Sequence, residues 1–181
     1  MEQEIEHVHA GPWGEFPDRY WGAYFGDEAP YYMGELDKLR NGRPLEFRFA
    51  TFFLGLLWMV YRKMYVVATC ALILTFIEGT IEESLFAMLD LDGTRAEIVA
   101  AITSISLAIL EGFFANRVYL WDARRNIRVV MQEAGHRHEQ EIIARIASRG
   151  DKSVGAVFAL IGIVVVLALV AANILDMANS L

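Results

Sequence analysis

Residues 154–175 form a run of 22 residues without a single charge. About 20 apolar helical residues cross the roughly 30 Å hydrocarbon layer of a bilayer. The run is therefore read as a transmembrane helix, and it limits the rest of the chain to arrangements that a membrane allows. A second span is predicted over 98–115, interrupted only by Glu111. A third runs from 64 to 77 and reaches spanning length with 78–81 or with Tyr61 and its neighbours. Ahead of it, 49–61 holds 13 apolar residues and stops at Arg62-Lys63. Thirteen residues are short for a crossing and suit an interfacial or re-entrant helix.

Composition agrees with this reading. Of 181 residues, 55% are hydrophobic and 22% charged, which excludes a disordered chain and argues against a soluble enzyme. Sixteen Lys and Arg against 23 Asp and Glu leave a net charge of −7, the wrong sign for nucleic acid. The one cysteine, Cys70, excludes a disulfide framework and sits in an apolar run as a small hydrophobe.

Lys and Arg accumulate in cytoplasmic loops. Fifteen of the 16 lie in 1–63 and 116–153; only Arg95 falls in the 78–97 connection, among Glu78, Glu82, Glu83, Asp90, Asp92 and Glu97. Three spans then give a cytoplasmic N-terminus, an outer loop near 82–97, a cytoplasmic loop at 116–153 and an outer C-terminus. If 49–61 crossed as a fourth span, the N-terminus would lie outside and Arg19 to Arg48 would break the rule.

Four segments follow: 1–48, 49–115, 116–153 and 154–181. The first begins with Glu2, Glu4 and Glu6 and lacks the apolar stretch of a signal peptide. It carries Trp13, Phe16, Tyr20, Trp21, Tyr24, Phe25, Tyr31 and Tyr32, punctuated by Gly and Pro. It is expected to lie along the membrane surface, with a flexible tail as the alternative for 1–25. Residues 120–149 are expected to continue the second span as one long cytoplasmic helix. Leu120, Ile127, Val130, Met131, Ala134, His138, Ile142 and Ile146 make its apolar stripe. That stripe must be covered by the N-terminal segment or by a neighbouring subunit.

The stretch 47–65 combines an aromatic apolar run containing Gly55 with Trp58 and then Tyr61-Arg62-Lys63-Met64-Tyr65. With Tyr31-Tyr32, Lys38 and Arg40 upstream, and Ala115-Asn116 followed by Tyr119 downstream, it resembles domain-of-unknown-function family 2628 over about residues 31–130. Arg48 departs from the pattern, where Asn is commoner. The resemblance implies a bacterial inner-membrane protein and no particular activity. From the residues themselves, Trp58, Tyr61, Arg62, Lys63 and Tyr65 are expected to be interface anchors, the two cations holding anionic headgroups. Asn116 is expected to bond a loosened backbone or a partner helix, with Tyr119 capping that contact.

Candidate chemistry is sparse. Glu111 is an ionisable group within a span, hence a functional candidate; the alternative is a structural hydrogen bond to Asn116, Tyr119 or a neighbouring helix. Ala100, Ser104, Ala108 and Gly112 recur every fourth residue, a spacing that lets membrane helices pack closely. His7-His9 and His136-His138 match no zinc spacing. Leu89 to Thr94 resembles the nucleophile motif of haloacid-dehalogenase phosphatases. The α/β domain which that motif requires is replaced by a span, so it is read as a turn, with Gly93 in it and Asp90 or Thr94 capping the next helix. The sequence thus predicts an all-α polytopic membrane protein: three spans, one interfacial or re-entrant helix and a long cytoplasmic amphipathic helix. The expected role is a non-catalytic scaffold or regulatory subunit without cofactor or metal, a homo-oligomer or the companion of another membrane protein. The alternative is a small oligomeric channel or transporter with Glu111 and Asn116 near its path.

Overall fold

The computed structural model describes residues 11–135 and 138–179. Among them every regular element is helical: α1 (Asp18–Phe25), α2 (Ala29–Arg40), α3 (Phe49–Leu54), α4 (Leu56–Tyr61), α5 (Tyr65–Met88), α6 (Gly93–Glu133), α7 (Glu139–Gly150) and α8 (Val154–Asn179), with a 3₁₀ turn at Gly26–Glu28. Three helices are long and apolar enough to cross a membrane. They are α5, α6 through its first half, and α8. Only 6%, 11% and 0% of their most apolar windows are buried within the chain. α5 and α6 meet over a short stretch, and α8 packs on α4.

Six hydroxyls in the spans are satisfied locally. Thr69, Thr75, Thr80 and Ser84 of α5, and Thr103 and Ser106 of α6, each donate to the carbonyl four residues back, at 2.7–3.1 Å. In a hydrocarbon layer a polar group must find its partner within the protein, and the preceding turn supplies it.

The other half of the fold is a head with an aromatic core. α1 lies against α7 and the second half of α6, and α2 against α1 and α6. Trp21, Tyr24, Phe25, Tyr32 and Leu36 pack with Tyr119, Leu120, Ala123, Ile127 and Val130 of α6 and with Ile142 and Ile146 of α7, all buried. Tyr32 and Tyr119 are closest, with ring centroids 4.4 Å apart. Arg124 and Arg128 both clasp Glu15, and Arg40 bonds Asp18 and the Trp13 carbonyl, so the chain ahead of α1 is tied down as well.

Several expectations are corrected here. Of the aromatics of 13–32, Phe16, Tyr20, Trp21, Tyr24, Phe25 and Tyr32 are buried in the core of this head, Trp13 and Tyr31 pack against it, and 11–25 is packed. The segment 49–61 is two six-residue helices, because Gly55 between them adopts φ +41°, a conformation that favours glycine. The helix expected over 120–149 is a hairpin: α6 stops at Glu133, Gly135 takes φ +55°, and α7 folds back. Its stripe is covered by α1, one of the two covers expected. His138 leaves that stripe, because the break places it, exposed, just before α7. His7, His9 and His136 lie outside the described residues. At the α5–α6 turn, Asp90 takes φ +52° and Asp92 precedes α6 without a side-chain capping bond, so neither Asp90 nor Thr94 caps the helix.

α7 ends on a glycine for a steric reason. A Cβ on Gly150 would overlap the Tyr24 carbonyl, and backbone cannot swing aside as a side chain does. Gly150→Ala is expected to destabilise the head by about 1–3 kcal/mol, the usual cost of overpacking. Thermal unfolding in detergent measures this, with Gly155→Ala, whose Cβ meets open space, leaving Tm unchanged.

Candidate functional site

Polar groups gather where the head meets the ends of the spans. α4 is capped by Arg62, whose backbone N–H donates to the Trp58 carbonyl, while the Lys63 N–H donates to that of Val60. Its side chain turns into the head and is 1% exposed. The guanidinium lies 5.2 Å from the ring centres of both Tyr32 and Tyr119, and Nη2 donates to Glu28 and, at 3.3 Å, to the Tyr32 hydroxyl. Glu28 comes from the 3₁₀ turn that precedes α2. Lys152, between α7 and α8, reaches its other oxygen at 3.0 Å, and Arg48, ahead of α3, approaches at 3.4 Å. Three cations thus share one carboxylate. Arg48 also lies over the rings of Tyr31, Tyr32 and Trp58.

The electrostatics follow from this crowding. Burial opposes ionisation of Glu28, but the Lys152 hydrogen bond and the Arg62 charge outweigh it and hold the carboxyl below its ordinary 4.5. Burial pushes the Tyr32 phenol up to about 12, against the pull of Arg62 and Arg48. Tyr32 therefore stays neutral and serves as a wall and a hydrogen-bonding hydroxyl.

One turn away, Asn116 locks α6 to the head. Its Nδ2 faces the Glu46 carbonyl at 2.9 Å, Glu35 Oε2 at 3.1 Å and the Tyr31 hydroxyl at 2.8 Å. Two of these are pure acceptors, which fixes the orientation of the amide. Glu35, itself buried, also accepts the Glu46 N–H at 2.8 Å and is paired with Lys38 at 2.6 Å. The loop ahead of α3 is thereby held as non-helical backbone. A second buried carboxyl, Asp122, accepts from Tyr24 at 3.3 Å and from Asn126 at 2.9 Å.

The expected anchors divide into two groups. Trp58 is 4% exposed and Arg62 1%, so both are inside the protein. Arg62 is therefore not an exposed interface anchor and faces a carboxylate of its own chain. Tyr61 and Lys63 are half-buried, Lys63 donating to the Ser148 carbonyl, while Tyr65 is exposed beside the first turn of α5. Glu111 touches neither Asn116 nor Tyr119 by any described hydrogen bond. Its Oε2 lies against the Gly55 break, 3.3 Å from where a Cβ on that glycine would stand. Of the small-residue stripe, Gly112 is buried under the Phe47 ring, while Ala100, Ser104 and Ala108 lie on the thinly packed part of α6. Among the described residues no three His, Cys, Asp or Glu converge as a metal site.

Sequence reasoning missed Glu28, Glu35, Arg48 and Lys152. Glu35 left a trace: it falls three and four residues after Tyr32 and Tyr31, which places a carboxylate on an aromatic helix face.

Asn116→Leu is expected to cost about 1–3 kcal/mol, because it strands Glu35 and the Glu46 carbonyl without the amide; thermal unfolding in detergent reads it. Glu28 contributes stability that is complete above the ordinary carboxylate value and is lost as pH falls through its lowered value. Melting curves taken into acid should therefore fall more steeply for the wild type than for Glu28→Gln.

The model of the family described as "Protein of unknown function (DUF2628)" matches residues 33–125, just over half of the 181. The match takes in Glu35, Arg48, Arg62, Asn116 and Tyr119 and leaves out Glu28 and Lys152. No curated protein and no solved structure matches the chain. By that match over half its length, this chain belongs to the DUF2628 family.

Proposed function

We propose that the protein is a non-catalytic scaffold or regulatory subunit of the bacterial inner membrane, joined through its spans to copies of itself or to another membrane protein. The observation that carries this reading is the contrast between the two halves of the fold. The head is closely packed, whereas the three apolar helices leave almost all of their surface open. Ser104 is exposed on α6 and Ala100 and Ala108 beside it are half-buried, and small side chains at this spacing let a second helix approach. The N-terminus, the head and the loop at 116–153 are cytoplasmic and the C-terminus is outside, in keeping with the charge asymmetry of the loops. The polar outer face of the α6–α7 hairpin, with Arg117 and Arg125 exposed, then faces the cytoplasm.

The mass of the protein in nanodiscs, by light scattering or native mass spectrometry, is the test. A defined oligomer that shifts to smaller species in the double variant Ala100→Leu and Ala108→Leu is expected. A monomer with no co-purifying membrane protein would sink the proposal.

One observation favours the second reading, a small channel or transporter. Glu111 lies against the Gly55 break between α3 and α4, and ion-coupled transporters set ionisable groups beside broken helices. Asn116 is engaged with the head and drops out of that path. Ion flux in proteoliposomes that disappears in Glu111→Gln would favour this reading; flux that is absent, or unchanged by the substitution, counts against it.

A further inference from the structure

We propose that the Glu28 junction is a recognition site for a phosphate-bearing anion, presented by a lipid headgroup at the membrane surface or free in solution. The inference is independent of self-association. Arg48, Arg62 and Lys152 surround one carboxylate, which leaves two positive charges in excess at the junction. The donors are unspent as well. A guanidinium offers five N–H groups in a plane. Nε and Nη1 of Arg62 are buried without a partner, and so is Nε of Arg48. A buried charge with unmet donors is costly, so a group that brings acceptor oxygens is bound favourably. The planar fork of arginine suits phosphate in particular.

The surroundings say from which side the anion arrives. A cleft of about 370 Å³ borders Lys152, but Asp27 and Asp151 also line it and repel an anion there. Asp151 is further drawn toward Lys63, 4.0 Å away. The opposite edge belongs to Arg48, whose side chain is 21% exposed. Arg48 directly precedes α3, from which Phe49 and Phe53 project at 68% and 74% exposure. Its backbone N–H bonds the carbonyl of Gly112 in α6, and α5 and α8 begin nearby, at Tyr65 and Val154. The open edge of the cluster therefore lies where the spans leave the bilayer, at the depth of lipid phosphates.

The test is native mass spectrometry of the full chain in detergent with phosphatidylglycerol, alongside oleate as an anionic amphiphile without phosphate. Phosphatidylglycerol should be retained in preference to oleate. Retention should weaken about fivefold in Arg48→Gln, the scale of one basic residue at a membrane surface. Arg48→Lys, which keeps the charge, should stay near the wild type, and so should Arg117→Gln, an exposed cation on α6. Thermal unfolding with inorganic phosphate separates the two sources. A rise in Tm that Arg48→Gln abolishes, without lipid retention, assigns the site to a soluble phosphate. Failure of both probes overturns the proposal, as does an equal loss of retention in Arg117→Gln.

Discussion

The fold turns on one buried guanidinium. Arg62 is contributed by the end of α4, Glu28 by the turn before α2, Lys152 by the link between α7 and α8, and Tyr119 by the middle of α6. Four segments that are remote in sequence meet around the Arg62–Glu28 pair. Removing a charged group from water costs several kcal/mol even after relaxation. The cost is met only while the carboxylate and the two tyrosine faces are in place. Docking of the head on the ends of the spans is therefore a cooperative event, since loss of any one of these groups leaves the charge uncompensated.

The two halves of the chain obey different solvents. In the head, aromatic rings are buried because water surrounds it, and its carboxylates are each matched by a donor, Glu35 by Lys38 and Asn116, Asp122 by Tyr24 and Asn126. Along the spans there is no hydrophobic gain from bringing helices together, because lipid is as apolar as leucine. Helices that stand apart are stable there as long as their own hydroxyls are satisfied, and the bonds to the preceding turn do this. The sparse packing of α5, α6 and α8 thus follows from the same physics as the tight packing of the head.

This contrast also explains what could be read from the sequence. An apolar run of spanning length has one meaning whatever its neighbours are, so the three spans and the all-helical class were legible, and the motifs around Trp58 and Asn116 carried the family. Amphipathic side chains have two meanings. A tyrosine, tryptophan or arginine beside a span is equally at home at a headgroup or in a core, and only the tertiary partner decides. Tyr65 stayed exposed, while Trp58 and Arg62, a few residues away, went inside. The two breaks were hidden for a related reason. Gly55 and Gly135 sit in continuous helical patterns that one glycine weakens only by about 1 kcal/mol, and it is the packing of α3 on α6 and of α7 on α1 that makes the break favourable. Glu28 and Lys152 had no local signal, because their partners are on other elements.

α6 joins the two environments without interruption. Its 41 residues make a rod of about 60 Å, with the small-residue stripe of Ala100, Ser104 and Ala108 near one end and Tyr119, Asp122 and Ile127 buried in the head near the other. Between them, Gly112 and Asn116 fasten the rod to the loop ahead of α3, through the Arg48 N–H and the Glu46 carbonyl. A helix with no glycine break or proline between those contacts transmits rotation and tilt as a rigid body. Any protein or lipid that reorients α6 within the bilayer must therefore either move the head with it or break the Asn116 lock. The Arg62 cluster lies across the same boundary, so a ligand there acts on the joint about which such a motion would turn.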